Sequence, residues 1–398
     1  MTSAHDRYFT GLQTALREAG AAWPVLVLDR ARMHRNAARM RAMFGPGQRL
    51  RLVEKSLPVP RMLDELMQLT GTRSLMVFHE PQLLQTARAF PDADLLLGKP
   101  LPVAAARHFY RQLGETAFAP ERQLQWLIDT PQRLNEYATL AQELDVVLRI
   151  NIEIDVGLHR GGVEDAAGME QMLRLLSEYP QRLHFAGLMG YDAHVGKLPA
   201  LVESRARGFA KAVETYRGFQ QQVSKALPEQ SAHACWNGAG SPTIALHSGG
   251  DSPLNDVSAG SALLKPSDFD IDLLADFEPA LFIATPVLKR LPGVRLPGPE
   301  WFSRLLVGGP RAARQTYFIY GGGWPARIAS PPELRRPGVF GTSYNQAIYT
   351  GPAQPALAVD DLVFLRPHQS EGMLLQFGPI WVFEDGHIVD RWTPFEEP

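Results

Sequence analysis

The sequence predicts an α/β protein: a (β/α)8 TIM-like barrel followed by a mostly β C-terminal domain. Three observations lead there. Strand-like apolar runs alternate with amphipathic helical stretches about eight times through the first two-thirds of the chain, as a parallel barrel requires. Near residue 280 the helical periodicity stops, and short strands between Gly/Pro-rich turns take over. The length of 398 residues suits a barrel of roughly 250 residues plus a smaller domain. The expected boundaries are 24–278 for the barrel and 279–398 for the β domain, with residues 1–23 packing on the latter.

Each element has its own signal. Val25-Leu26-Val27-Leu28 is a short apolar run. Residues 31–44 form an amphipathic helix, with Met33, Ala37, Met40 and Met43 near helical spacing. The strand Leu50-Arg51-Leu52-Val53 follows, then a helix over 60–69 that Gly71 closes. Further strands are expected at 74–78, 94–97, 125–129, 146–152, 184–189, 232–236 and 257–260. Beyond them, 282–287, 316–320 and 362–365 read as strands of the β domain. Ile380-Trp381-Val382-Phe383 meets His387-Ile388-Val389-Asp390 across Glu384-Asp385-Gly386, and Asp-Gly is a strong hairpin signal. The Pro/Gly-rich stretch 291–299 reads as a surface loop.

Composition excludes several classes. Hydrophobic content is 45%, normal for a full globular core. A net charge of −2 gives no bulk electrostatic attraction to nucleic acid or an anionic membrane. No apolar run reaches the roughly 18 residues a spanning helix needs. The start, Met1-Thr2-Ser3-Ala4-His5-Asp6-Arg7, lacks the basic-then-apolar order of a secretory signal. The single Cys235 excludes an internal disulfide and a multi-cysteine zinc site, and it reads as inert core. The expectation is a cytoplasmic protein with a small-molecule substrate and neither nucleic acid nor membrane as partner.

A barrel places its chemistry on the loops at the C-terminal ends of its strands, and three segments fall there. Val53-Glu54-Lys55-Ser56 carries a lysine whose partly desolvated amine can attack an aldehyde. Residues 153–163 run on from a strand, with Gly157, Gly161 and Gly162 permitting close backbone approach and Arg160 supplying a permanent planar cation. Trp236-Asn237-Gly238-Ala239-Gly240-Ser241-Pro242-Thr243 exposes backbone N–H groups and the Ser241 and Thr243 hydroxyls, a cradle for a phosphate; Gly260 and Ser261 can add donors. The Walker lysine and the dinucleotide glycine spacing are both missing. Taken singly, each segment also has a plain structural reading: a surface lysine, a glycine turn with a salt-bridged arginine, a loop. His79 and His194 are open between a functional and a packed role, and the Tyr320 to Pro325 turn reads as structural.

Together these residues resemble the fold-type III pyridoxal-phosphate enzymes, the alanine-racemase-like barrels, and most closely their D-threonine aldolase and D-serine dehydratase branch. The matching positions are Lys55, the Glu-Ile-Asp-Val-Gly-x-x-Arg-x-Gly-Val segment ending at Val163, and Gly187-Leu188-Met189-Gly190-Tyr191. The 238–243 loop and Gly386-His387-Ile388-Val389-Asp390-Arg391-Trp392 also match, so the resemblance spans nearly the whole chain. It implies a pyridoxal 5′-phosphate cofactor bound as an aldimine on Lys55, with Arg160 at its pyridine nitrogen and Tyr191 flanking it. Gly238, Gly240, Ser241, Thr243, Gly260 and Ser261 would hold the phosphate. It further implies a homodimer and a lyase acting on D-β-hydroxy amino acids by retro-aldol cleavage or dehydration, with His194 or His368 assisting at the β-hydroxyl.

One departure stands out. This branch usually binds a divalent metal (manganese, magnesium or zinc) through His-x-Cys or His-x-Asp. The matching segment here is Arg366-Pro367-His368-Gln369-Ser370-Glu371. His368 can ligate, but the Ser370 hydroxyl is a poor ligand beside thiolate or carboxylate, and Glu371 would sit on the opposite face of a strand. Two alternatives remain: a racemase of the same fold, with Lys55 and Tyr344 as opposed bases, and a non-catalytic carrier of pyridoxal phosphate.

Overall fold

The computed structural model describes residues 4–196, 203–293, 314–337 and 343–396. The chain divides into two compact units. A barrel unit comprises Arg35–Leu263, Ile271–Phe277 and Phe395–Pro398; a sheet unit comprises Met1–His34, Leu264–Asp270 and Glu278–Pro394.

The first strand, β1 (Val25–Asp29), belongs to the sheet unit. The barrel is formed by β2 (Arg49–Val53), β3 (Ser74–Val77), β4 (Asp94–Leu97), β5 (Leu124–Ile128), β6 (Leu148–Glu153), β7 (Leu183–Gly190), β8 (Cys235–Gly238) and β9 (Asp256–Ala259). Each pairs in parallel with the next, and β9 closes on β2 with Leu52 opposite Ala259. The helix Pro60–Thr70 begins with proline at its first turn and stops at Gly71, whose φ of 72° suits a left-handed cap. Strand β8 lies three residues later than expected at its start. Ala232 to Ala234 instead close the short helix Pro228–Ser231 through N–H bonds to Pro228, Gln230 and Ser231.

The barrel interior is polar where such barrels usually carry branched apolar side chains. Arg51, Asn151, Asn237 and Asp256 are all fully buried. Arg51 Nε donates to Asp256 Oδ1 at 2.8 Å, and its Nη2 donates to Asp256 Oδ2 at 2.9 Å and Asp94 Oδ1 at 2.6 Å. Asn237 Nδ2 donates to Asp256 Oδ1 at 2.6 Å and Ser258 Oγ at 2.8 Å. Burial alone would raise the Asp256 pKa, but the Arg51 guanidinium outweighs it and holds the carboxyl at about 2.

The sheet unit completes the strand series with β10 (Leu281–Pro292), β11 (Arg314–Tyr320), β12 (Ala326–Ser330), β13 (Gln346–Pro352), β14 (Leu362–Pro367), β15 (Ile380–Glu384) and β16 (His387–Trp392). Its strand order is β12-β14-β10-β1-β15-β16, and β11 pairs with β10 and β13. Val25–Asp29 therefore differs from its expected place at the head of the barrel. It runs antiparallel to β10 and parallel to β15, with all five residues buried. A short apolar run looks the same whether it lines a barrel or crosses the middle of a covered sheet. The helix α1 (Arg7–Glu18), capped by Asp6 accepting from Phe9 N, packs Phe9, Leu12 and Leu16 on Val25, Val27, Phe282 and Phe364. The β15–β16 hairpin turns through Asp385 and Gly386 at φ 47° and 86°, the two left-handed residues its sequence signals. Strands β12 and β13 had no clear sequence signal. Of the expected loop 291–299, Leu291 and Pro292 end β10, and 294–299 lie outside the described residues. No described helix is long and apolar enough to cross a membrane.

Candidate active site

Strand β2 delivers Lys55 to the C-terminal end of the barrel. After Val53 the chain enters a short 3-10 turn, Glu54–Ser56, and the half-buried Lys55 places Nζ 4.5 Å from the centroid of the Phe78 ring, just beyond β3. A side chain at Gly98, just past β4, would put Cβ 2.1 Å from Phe78, so that glycine makes room for the ring. Beside Lys55, Glu54 is fully buried and neither of its carboxyl oxygens makes a hydrogen bond among the described residues. Burial pushes its pKa up to about 8.

Strand β6 leads into the 155–163 loop. Asp155 organises it by accepting from the N–H groups of Gly157 and His159, at 2.8 and 3.0 Å, and from the His159 ring. Burial works to raise its pKa, yet the backbone donors of His159 and Gly157 bring it below the ordinary value. Val163 N donates to Glu153 O and Asp155 N to Val163 O. That close return needs Gly162, at φ 97°, where a Cβ would lie 2.8 Å from the Ile154 carbonyl carbon. Arg160 is exposed, with its guanidinium carbon 4.9 Å from the centroid of the Tyr191 ring. Glu153, at the end of β6, is pushed up to about 7 by burial and by Asp129, with Arg160 opposing.

Strand β7 ends at Gly190, Tyr191 follows it directly, and His194 lies in the 3-10 turn beyond. His194 Nε2 lies 3.0 Å from where a Gly157 Cβ would be, and its buried Nδ1 makes no hydrogen bond among the described residues. Tyr191 lies against the 238–243 turn, its Cε2 only 2.5 Å from the Cβ position of Gly240. In that turn Ser241 Oγ accepts from Gly260 N at 3.3 Å and Ala262 N at 3.0 Å, which ties the turn to the end of β9. Ser261 donates to Ser56 Oγ at 3.0 Å, one residue from Lys55. Gly260 lies under β2, where a Cβ would be 2.7 Å from Val53 O. The barrel unit thus brings Lys55, Arg160, Tyr191, His194, Gly238, Gly240, Ser241, Thr243, Gly260 and Ser261 to one end of one barrel.

With this geometry in view, the comparisons are specific. The family model for the alanine racemase N-terminal domain matches residues 28–268. The chain belongs to that family. It lies in the fold-type III pyridoxal-phosphate superfamily, whose alanine racemase-like members bind pyridoxal phosphate and act on small amino acids. Among solved structures, D-threonine aldolase from Filomicrobium marinum is similar at 17% identity, with 93% of this chain and 96% of that one covered and a TM-score of 0.71. D-threo-3-hydroxyaspartate dehydratase from Delftia sp. HT23 follows at 16% identity, 94% and 97% coverage and 0.68; a variant of it is known in a metal-free form. Alanine racemase from Bacillus anthracis with bound L-Ala-P is similar at 15% identity, 93% and 97% coverage and 0.69. These likenesses show the fold. No curated protein matches the sequence.

His368, Ser370 and Tyr344 lie in the sheet unit. His368 Nδ1 lies 2.8 Å from Ser267 Oγ and 3.6 Å from Asp268 Oδ1. Ser370 is fully buried, and its hydroxyl makes no hydrogen bond among the described residues. This donor set does not fit a divalent cation: one imidazole engaged with a serine, a buried neutral hydroxyl, and no group of three or more His, Cys, Asp or Glu able to hold a metal among the described residues. Tyr344 is 78% exposed. Cys235 is buried in the barrel and its thiol is pushed up to about 12 by burial, as an inert core residue should be. Sequence reasoning gave no role to Phe78, Asp192 or His247, because their contacts are between segments far apart in the chain, nor to Glu54, whose burial no local pattern signals.

Proposed function

We propose that the chain is a pyridoxal-phosphate-dependent lyase acting on D-configured β-hydroxy amino acids. When bound, the cofactor supplies the electron sink. The fit rests on a lysine amine at the barrel mouth, a planar cation beside a tyrosine ring, and a glycine turn whose close contacts leave backbone N–H groups for a phosphate. Lys55 Nζ would hold the cofactor's aldehyde carbon and, once the substrate amine has displaced it there, would move the proton at the substrate Cα. Arg160 would face the cofactor's ring nitrogen and, being permanently charged, could not take a proton from it. Tyr191 holds the turn in place through Gly240.

The observation that carries the lyase reading over the other activities of this fold is His194. Its Nδ1 is buried and unbonded among the described residues, at the same end of the barrel as Lys55. An imidazole so placed can hold or move the proton of a β-hydroxyl, a step that aldol cleavage and dehydration need and racemisation does not. No step is assigned to a metal.

The test is the visible spectrum of the purified protein, followed by addition of D-threonine, D-serine and both alanines, with and without manganese. A yellow band that shifts with one D-β-hydroxy amino acid, with release of aldehyde or ammonia, supports the reading. Interconversion of the alanines without either product makes the protein a racemase. Colourless protein that takes up no pyridoxal phosphate overturns the proposal. Lys55→Ala should abolish borohydride-fixable cofactor while the thermal midpoint stays unchanged. His194→Gln should lower turnover about 10²- to 10⁴-fold with cofactor uptake intact. A homodimer is part of the same reading, and light scattering checks it.

A further inference from the structure

Behind the 238–243 turn lies a run of buried polar side chains that the chemistry above does not use. Asp192 follows Tyr191 directly and is 3% exposed. Its Oδ1 accepts from Thr243 Oγ1 at 2.6 Å, and its Oδ2 lies 2.8 Å from His247 Nε2. His247 Nδ1 lies 2.9 Å from Ser252 Oγ, and the Phe209 ring meets the imidazole edge-on. A carboxylate only accepts, so both Thr243 and His247 donate to it. Thr243 is fully buried. Its one proton is committed to Asp192, so the hydroxyl expected to meet a phosphate serves as an anchor.

The turn needs an anchor. Ala239 sits at φ 63°, a left-handed conformation unfavourable for a residue with a Cβ. Thr243 N and Ile244 N both converge on Gly240 O at 2.9 Å, which curls the turn without attaching it to the barrel. Ser241 ties it to the end of β9, and two consecutive residues after β7 hold its other side. The ring of Tyr191 covers Gly240, and the carboxylate of Asp192 holds Thr243.

We propose that Asp192 is the positioning residue of this turn, setting its affinity for the cofactor's phosphate. The inference rests on the reading that the turn takes that phosphate. A hydrolytic role for the Ser252, His247 and Asp192 trio is the competing idea, since those side-chain types form catalytic triads. The adjoining cavity, lined by Asp192, His247, Tyr216 and Val156 among others, measures about 10 Å³, room for at most one water and none for a substrate.

The experiment compares pyridoxal phosphate with pyridoxal, which lacks the phosphate, by fluorescence titration of the wild type, Asp192→Asn, Thr243→Val and Thr243→Ser. Asp192→Asn replaces one of the two charged acceptor oxygens with an N–H donor, so the charge-assisted hold on Thr243 and His247 is lost. Its affinity for pyridoxal phosphate should fall about ten- to hundredfold, with pyridoxal affinity unchanged within about twofold. Thr243→Val should lose phosphate affinity in the same way, and Thr243→Ser, which keeps the hydroxyl, should restore it. Hydrogen exchange of residues 238–243 without cofactor should speed up in Asp192→Asn and Thr243→Val. Asp192→Asn that binds pyridoxal phosphate like the wild type overturns the inference, as does an equal loss for both ligands. If Asp192→Asn does not fold, the Val and Ser variants of Thr243 decide it, and equal phosphate affinity in the two overturns it. Wild-type protein that binds no pyridoxal phosphate overturns the functional reading, and this inference with it.

Discussion

The two ends of the barrel treat buried charge in opposite ways. At the N-terminal end Arg51 and Asp256 are both fully buried and bonded to each other, and Asp94 and Asn237 take up further positions on them. At the C-terminal end Glu54 is just as buried, yet neither carboxyl oxygen makes a hydrogen bond among the described residues. The outcome follows from the partner and not from the burial. Arg51 holds Asp256 ionised at about 2, whereas burial leaves Glu54 holding a proton up to about 8. Glu153, at the same end, is raised to about 7. One end spends its polar groups on a fixed structure, and the other keeps protons and unbonded atoms beside Lys55 and His194. That division matches the general rule that barrels build stability below and chemistry above.

The sharpest way to break the contrast is Asp256→Ala. It strands the Arg51 cation in the barrel, and removal of one partner of a buried pair costs about 3–5 kcal/mol. Urea unfolding should show a large drop in midpoint with little change in slope. A loss under about 1 kcal/mol would mean that Asp94 alone can satisfy Arg51, and the lower end would no longer count as a structural network. A smaller effect is expected at the upper end from Gly240→Ala. Its new Cβ would lie 2.5 Å from Tyr191 Cε2, so the ring must move, at a cost of about 1–3 kcal/mol. Gly249→Ala is the control, because nothing lies within 4 Å of its Cβ position. Equal thermal midpoints for the two variants would show that the Tyr191 contact is slack.

How far these features could be read from the sequence depends on how far apart the partners lie. The apolar runs of β2 to β7 and the glycine that caps Pro60–Thr70 are local signals, and they were legible. Lys55 was legible because it ends such a run. The 155–163 loop was legible because its glycines and Arg160 are contiguous. Arg51 was not, because within Leu50-Arg51-Leu52 it reads as the polar side of a half-exposed strand. Its partner Asp256 is 205 residues away. Thr243 was recognised as a useful hydroxyl, but Asp192, 51 residues earlier, decides where its proton goes. Val25–Asp29 shows the same limit in the fold, since pairing with β10 and β15 depends on strands more than 250 residues downstream.

The comparison can be sharpened by pH, because the two ends titrate in opposite senses. The Asp256 carboxyl is lowered from 3.8 to about 2 on folding. Its contribution to stability is present above 3.8 and is lost as pH falls through about 2. The Glu54 carboxyl is raised from 4.5 to about 8, so its contribution is complete below 4.5 and is lost as pH rises through about 8. Wild-type stability should therefore decline between those two values, with Glu153 adding to the slope below about 7. Glu54→Gln cannot ionise. It should remove Glu54's share of the decline and make the protein more stable than wild type at about pH 8, by up to about 4 kcal/mol. The acid limb, which belongs to Asp256, should not move. Urea titrations at about pH 2, 3, 5, 7 and 8 separate the two effects. If Glu54→Gln is no more stable than wild type at the highest pH, then Glu54 is ionised in the folded protein with a cation to match. In that case the upper end of the barrel pairs its charges just as the lower end does, and the proton-holding character assigned to it is lost.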